Sequence, residues 1–125
     1  SARPETADDW RETLDTTIVD QLLMLERGSP GFFGQVVETY LSTSDENLSE
    51  LVEALRDGDQ KQMQRKAHAL VGSSRQVGAS RVGEMCVAIE RAASIAEAEA
   101  QLPALEDELA RAQVALVAAV KSLGA

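Results

Sequence analysis

The sequence predicts an all-α fold, an antiparallel up-down four-helix bundle with an additional N-terminal helix. Three observations predict it. Apolar residues recur at the 3.6-residue spacing of amphipathic helices through most of the chain. No segment alternates apolar and polar residues as a half-buried strand would, and no internal repeat is visible. Glycine and proline fall at a few points and leave long helix-forming stretches between them. Short connections between long helices favour antiparallel neighbours.

The elements follow in order. Residues 1–13 read as an N-terminal leader, partly disordered or a short helix, and residues 14–125 as the bundle domain. Within the leader, Ser1 to Thr6 reads as frayed, and Asp8 to Leu14 can add a turn or short helix. The first long helix is expected over Thr16 to Glu26, carrying Ile18, Val19, Leu22, Leu23 and Leu25, with Gly28 as its stop. Ser29-Pro30 has the form of an N-cap followed by a first-turn proline. The second helix then runs from about Pro30 to Arg56, with Phe33, Val36, Val37, Tyr40, Leu41, Leu48, Leu51, Val52 and Leu55 on its apolar face. Asp57-Gly58-Asp59 closes that helix and caps the next.

The third helix is expected from Asp59 to Val77. Its stripe is Met63, Ala67, Leu70 and Val77, with Ser74 on the same line, and Gly78 ends it. Ser80 is the expected cap of a fourth helix bearing Val82, Met85, Cys86, Ile89, Ala92 and Ala93. Ser94 and Glu97 have the spacing of a capping box. The last helix carries Leu102, Leu105, Leu109, Ala112, Leu116, Val120 and Leu123. Pro103 should kink it or mark its true start.

Bulk properties narrow the function classes. The 125 residues fit one ordinary domain. Apolar residues make up 44% and aromatics only 3%, so the core must be aliphatic. The chain starts at Ser1 with no initiator Met, which reads as a fragment or processed chain. No run approaches the roughly 20 apolar residues of a membrane span, and the residues ahead of the first long helix do not read as a charged-then-apolar signal segment. The single cysteine, Cys86, cannot form an internal disulfide. The expectation is a cytoplasmic protein that binds neither nucleic acid nor membrane. The net charge of −9 argues the same way, since it repels polyanions.

The charge is unevenly placed. Gln60 to Gly83 contains no Asp or Glu but holds Lys61, Arg65, Lys66, Arg75 and Arg81, together with the only histidine, His68. At about 100° per residue, His68 lies roughly 140° from the centre of the third helix's stripe. Lys61, Arg65, Gly72 and Arg75 share that outer side. A solvent-facing neutral imidazole is a nucleophile near neutral pH. Attack on a phosphoryl group would give a covalent N–P intermediate. Gly72, four residues on, removes the side chain that would screen the ring. It costs about 1 kcal/mol of helix stability relative to Ala, and close approach of a partner is a reason to carry it. Arg65 and Arg75 can balance charge on the phosphorylated form.

Ala67-His68-Ala69-Leu70-Val71-Gly72-Ser73-Ser74, followed by Val77-Gly78-Ala79, resembles the signature of histidine phosphotransfer (HPt) domains, His-x-Leu-Lys-Gly-Ser and then a hydrophobic-Gly pair. The similarity extends to Leu14-Asp15, to Gly28-Ser29-Pro30-Gly31-Phe32-Phe33, to Ala54-Leu55-Arg56-Asp57-Gly58-Asp59, and to Met85-Cys86 with Ile89-Glu90. It thus covers about Leu14 to Leu123.

The resemblance implies that His68 takes a phosphoryl group from a receiver-domain aspartate and passes it to another receiver. It also implies that the chain lacks a kinase core and a cofactor of its own, with Mg²⁺ supplied by the receiver. Partner contacts would come from Lys61, Arg65, Val71, Gly72 and Arg75. Val71 departs from the family, which usually has Lys there. At about 80° from the stripe's centre, it is expected to enlarge an apolar docking surface. Arg75 is the residue that can stand in for the lysine. Glu90, where the family often has Gln, can accept a hydrogen bond from the imidazole N–H and set its tautomer.

The alternative is a degenerate docking module that binds a receiver or kinase without carrying phosphate. One His and one Cys are too few for a metal site. Glu106-Asp107-Glu108 reads as a solvated face.

Overall fold

The computed structural model describes residues 10–124. All regular structure among them is helical: α1 (Trp10–Thr13), α2 (Thr16–Gly28), α3 (Phe32–Asp57), α4 (Gln60–Gln76), α5 (Ser80–Glu90) and α6 (Ile95–Lys121), with a closing 3-10 turn at Ser122–Gly124. Among these residues no helix is long and apolar enough to cross a membrane. Helix α3 packs on α4, α4 on α5, α5 on α6, and α6 back on α3. The space between them is filled by Phe33, Leu51, Met63, Leu70, Ile89, Leu105, Leu109 and Leu116, each essentially without solvent contact. This is the aliphatic interior that the low aromatic content requires.

Several ends are capped as local sequence dictates. The Asp15 carboxylate accepts from the Thr17 N–H and opens α2. The Asp59 carboxylate does the same for Gln62 and α4. Gly58, in the left-handed region at φ 69°, closes α3. Ser94 Oγ accepts from the Glu97 N–H, as expected, and the Glu97 carboxylate reaches back to the Ala93 N–H, one residue ahead of the cap, where a capping box would take the Ser94 N–H.

Other ends differ from expectation. Helix α3 begins at Phe32, with Gly31 as its cap residue, and not at Ser29-Pro30. Its exposed N–H groups are taken by a side chain from the preceding helix: Glu26 accepts from Gly31 N–H and Phe33 N–H at 2.8 Å each. These two bonds hold the Glu26 carboxyl below the usual carboxylate range. Ser80 is the first residue of α5 and not its cap; the cap residue is Ala79, which has no side-chain acceptor to offer. Helix α5 ends at Glu90, so Ala92 is buried in the connection and not on the helix. Helix α6 starts at Ile95 and runs through Pro103, so that proline does not mark the start. Leu123 lies in the terminal turn and is 44% exposed, outside the core.

Of the expected leader, residues 1–9 lie outside the described residues. Trp10–Thr13 form α1, which packs on α6, and Trp10 is buried in the common core. Asp15 N–H then donates to the Gly78 carbonyl at 2.8 Å, which ties the start of α2 to the α4–α5 turn. Gly78 sits at φ +84°, and a Cβ there would lie 3.1 Å from the Asp15 carbonyl oxygen. The close approach of the two segments therefore depends on that glycine.

Candidate functional site

The centre of α4 divides into two faces. Met63, Ala67, Leu70, Val71 and Ser74 are buried. Lys61, Arg65, His68, Gly72 and Arg75 are exposed. Ser74 is tied down by a 2.7 Å hydrogen bond with the Tyr40 hydroxyl of α3. Burial pushes the Tyr40 phenol up to about 12, and burial likewise pushes the nearby Cys86 thiol up to about 12. Cys86 is thus a protonated core residue, as its place on an apolar stripe suggests.

His68 projects from this anchored helix with 74% of its side chain exposed. Its Nδ1 lies 3.0 Å from Glu90 Oε2, at the last position of α5. A carboxylate can only accept, so the shared proton belongs to Nδ1. The lone pair is then on Nε2, the outward nitrogen. Over the next turn of α4 lies Gly72, and nothing stands within 4 Å of where its Cβ would be. The ring is therefore oriented from one side and open on the other. Chemically, the arrangement is a nucleophilic nitrogen of set tautomer, approachable by a bulky electrophile.

The cations distribute unevenly around it. Lys66 Nζ pairs with Glu50 Oε1 of α3 at 3.0 Å and lies away from the histidine. Lys61 and Arg65 occupy the exposed line on the N-terminal side of His68. Arg75 lies on the C-terminal side, its stem against Gly83 of α5. Val71 requires a correction. It is only 6% exposed, so it does not enlarge a docking surface. Helix α4 is covered by α3 on one flank and by α5 on the other, which widens its buried arc beyond the stripe visible in the sequence.

Sequence reasoning missed Gly83. Its signal was present: a helix-interior glycine seven residues before Glu90 falls on the same face of α5. No group of three or more His, Cys, Asp or Glu residues that could hold a metal occurs among the described residues.

A comparison with curated proteins returns no match. A family model described as Hpt domain matches residues 35–118, about two thirds of the chain. The match spans α4 and α5 whole, with most of α3 and α6, and so includes His68, Gly72 and Glu90.

Proposed function

The chain belongs to the Hpt domain family, a family of phosphocarrier modules that work with receiver domains, and we propose that His68 accepts a phosphoryl group from a receiver aspartate and passes it to a second receiver. One observation carries this reading: an exposed imidazole whose Nδ1 is held 3.0 Å from the Glu90 carboxylate, leaving Nε2 unencumbered. In the forward step the Nε2 lone pair attacks phosphorus in line. The P–N bond forms as the P–O bond to the aspartate breaks, and the carboxylate leaves with its electron pair. The Nδ1 proton stays on its bond to Glu90, whose charge offsets the positive charge that develops on the ring. The return step reverses these changes on a second aspartate.

The receiver would supply Mg²⁺ and the groups that stabilise the transferring phosphoryl, so the chain needs no metal or nucleotide of its own. The exposed line Lys61, Arg65, Gly72 and Arg75 would meet the acidic surroundings of the receiver's phosphorylation site. In this reading α3 to α6 form an antiparallel up-down bundle with α2 laid across it, acting as a cytoplasmic monomer. The closed cycle of helix contacts and the short connections support that arrangement.

The test is to incubate the chain with a phosphorylated receiver and Mg²⁺ and to look for acid-labile, alkali-stable label. Label is expected on the wild type and absent from His68→Gln. Label that persists in His68→Gln would remove the assignment. Receiver binding without any label would favour the docking-only alternative.

A further inference from the structure

We propose that Arg75, seated on the bare backbone of Gly83, is the side chain of this domain that grips the phosphoryl group on His68. The inference rests on the phosphocarrier reading and deepens it by naming the positioning device. With Val71 buried, the residue three positions after His68 cannot bring a charge to the imidazole. Any cation of this chain that meets the phosphoryl group therefore comes from elsewhere on the surface.

Direction along the helix selects among the candidates. Long side chains on an α-helix lean toward its N-terminus. Lys61 and Arg65 precede His68 and lean toward the N-terminal end of α4, away from the open space over Gly72. Lys66 is engaged by Glu50 at 3.0 Å. Arg75 follows His68 by two turns, about 10 Å along the axis, and from its place along Gly83 an N-terminal lean would carry its guanidinium toward the open space over Gly72. Nothing obstructs that path from position 72, where a Cβ would meet no atom within 4 Å.

Helix α5 supplies the seat. Gly83 is buried, and a Cβ there would lie 3.3 Å from Arg75 Cγ and 3.6 Å from Arg75 Nε. It would also lie 3.9 Å from the Val71 carbonyl oxygen, so the arginine stem runs in the seam between the two helices. Gly83 and Glu90 are seven residues apart on one face of α5. One end of that face holds His68 Nδ1, and the other holds the Arg75 stem. The phosphoryl group would occupy the open space over Gly72 between them. The planar guanidinium can donate two parallel hydrogen bonds to its oxygens.

The experiment uses the full chain and potassium phosphoramidate, which needs no receiver. Nε2 attacks phosphorus, the P–N bond to ammonia breaks, and ammonia leaves. The readouts are the rate at which the intact mass gains one phosphoryl group, the half-life of the adduct, and its ³¹P chemical shift. Arg75→Ala should lower the labelling rate or the half-life about tenfold, the worth of one charge-assisted contact, and should move the ³¹P signal. Arg75→Lys should recover part of the loss. Gly83→Ala should give a several-fold loss without lowering Tm, since alanine is the better helix former. The double variant Gly83→Ala/Arg75→Ala should match Arg75→Ala alone. Arg91→Ala, beside Glu90, is the comparator and should behave as wild type.

A wild type that takes no label, from phosphoramidate or from receivers, would overturn the phosphocarrier reading itself. A labelled wild type with Arg75→Ala unchanged in rate, half-life and ³¹P shift would overturn the inference and leave that reading standing. So would a loss that follows Arg91 in place of Arg75. A further loss from Gly83→Ala in the Arg75→Ala background would overturn the seating.

Discussion

In the proposed transfer, Glu90 and His68 are the residue pair on which the chemistry would turn, and the carboxylate would contribute twice. It would hold the proton on Nδ1, from which it lies 3.0 Å, and would place a negative charge beside a ring that becomes positive as phosphorus is attacked. Glu90→Gln keeps an acceptor oxygen and loses the charge; Glu90→Ala loses both. Transfer to Glu90→Ala should be about tenfold slower, with Glu90→Gln between it and the wild type. The ¹⁵N shifts of His68 should show Nδ1–H in the wild type and a tautomer mixture in Glu90→Ala; an unchanged tautomer would dissociate Glu90 from the nucleophile. Behind the site, Tyr40 and Cys86 are both held protonated up to about 12 by burial. Unfolded, they would ionise nearer 10 and 9, the ordinary values for these groups. Between those limits the unfolded chain binds fewer protons than the native one, so stability falls as pH rises. Each group contributes a slope of about 1.4 kcal/mol per pH unit above its unfolded value. Urea unfolding between pH 8 and 11 (about the span in which these groups titrate) should show this decline, and Tyr40→Phe should flatten its upper part.

Helices α2, α4 and α5 meet at Gly78. The Asp15 N–H to Gly78 carbonyl bond at 2.8 Å docks the start of α2 onto the turn that sets the angle between α4 and α5. Gly78→Ala would force an L-residue to φ +84° and press its Cβ to 3.1 Å from the Asp15 backbone oxygen. A loss of about 2 kcal/mol is expected from the backbone term alone, measured by chemical denaturation. Because α4 carries His68 and α5 carries Glu90, the same variant should also broaden the tautomer signal of His68. A fully stable Gly78→Ala would mean the turn can open without cost. Element boundaries are legible in the sequence where a cap lies within the helix's own first turn, as at Asp59 and Ser94. The start of α3 is not, because its N–H groups are capped by Glu26 of the preceding helix. No local pattern in Ser29-Pro30-Gly31 signals a carboxylate arriving from another element.

At the scale of the molecule, the packed body reaches beyond the family match. The match begins within α3, but Trp10 is only 2% exposed and belongs to the same core as Leu70 and Ile89. Trp10→Ala should cost about 3–5 kcal/mol, the range for emptying a buried aromatic site, and should show as a lower denaturation midpoint with an unchanged m-value. A loss below about 1 kcal/mol would show that α1 is a detachable appendage. Charge at this scale is separated along the chain. The acid-free stretch from Gln60 to Gly83 places Lys61, Arg65 and Arg75 on one exposed face of α4, on a body whose remaining charge is net acidic. Like charge over the rest of the molecule disfavours an acidic partner docking in any other orientation.

The sequence by itself determined the all-helical class, the order of the helices, and the outward position of His68 with Gly72 beside it. These follow from periodicity, from caps that act within four residues, and from rotation along one helix, all of which are local. Only the tertiary structure decided which neighbours fill the space around that helix. Val71 lies on the flank of the α4 stripe, and packing by α5 turned it from an expected docking residue into core. Lys66 is one of five cations in the sequence stretch, and Glu50 of α3 draws it away from the site. Arg75 acquires its seat because Gly83, on another helix, has no side chain. Each of these outcomes depends on distances between elements far apart in the chain, and such distances leave no trace in local spacing.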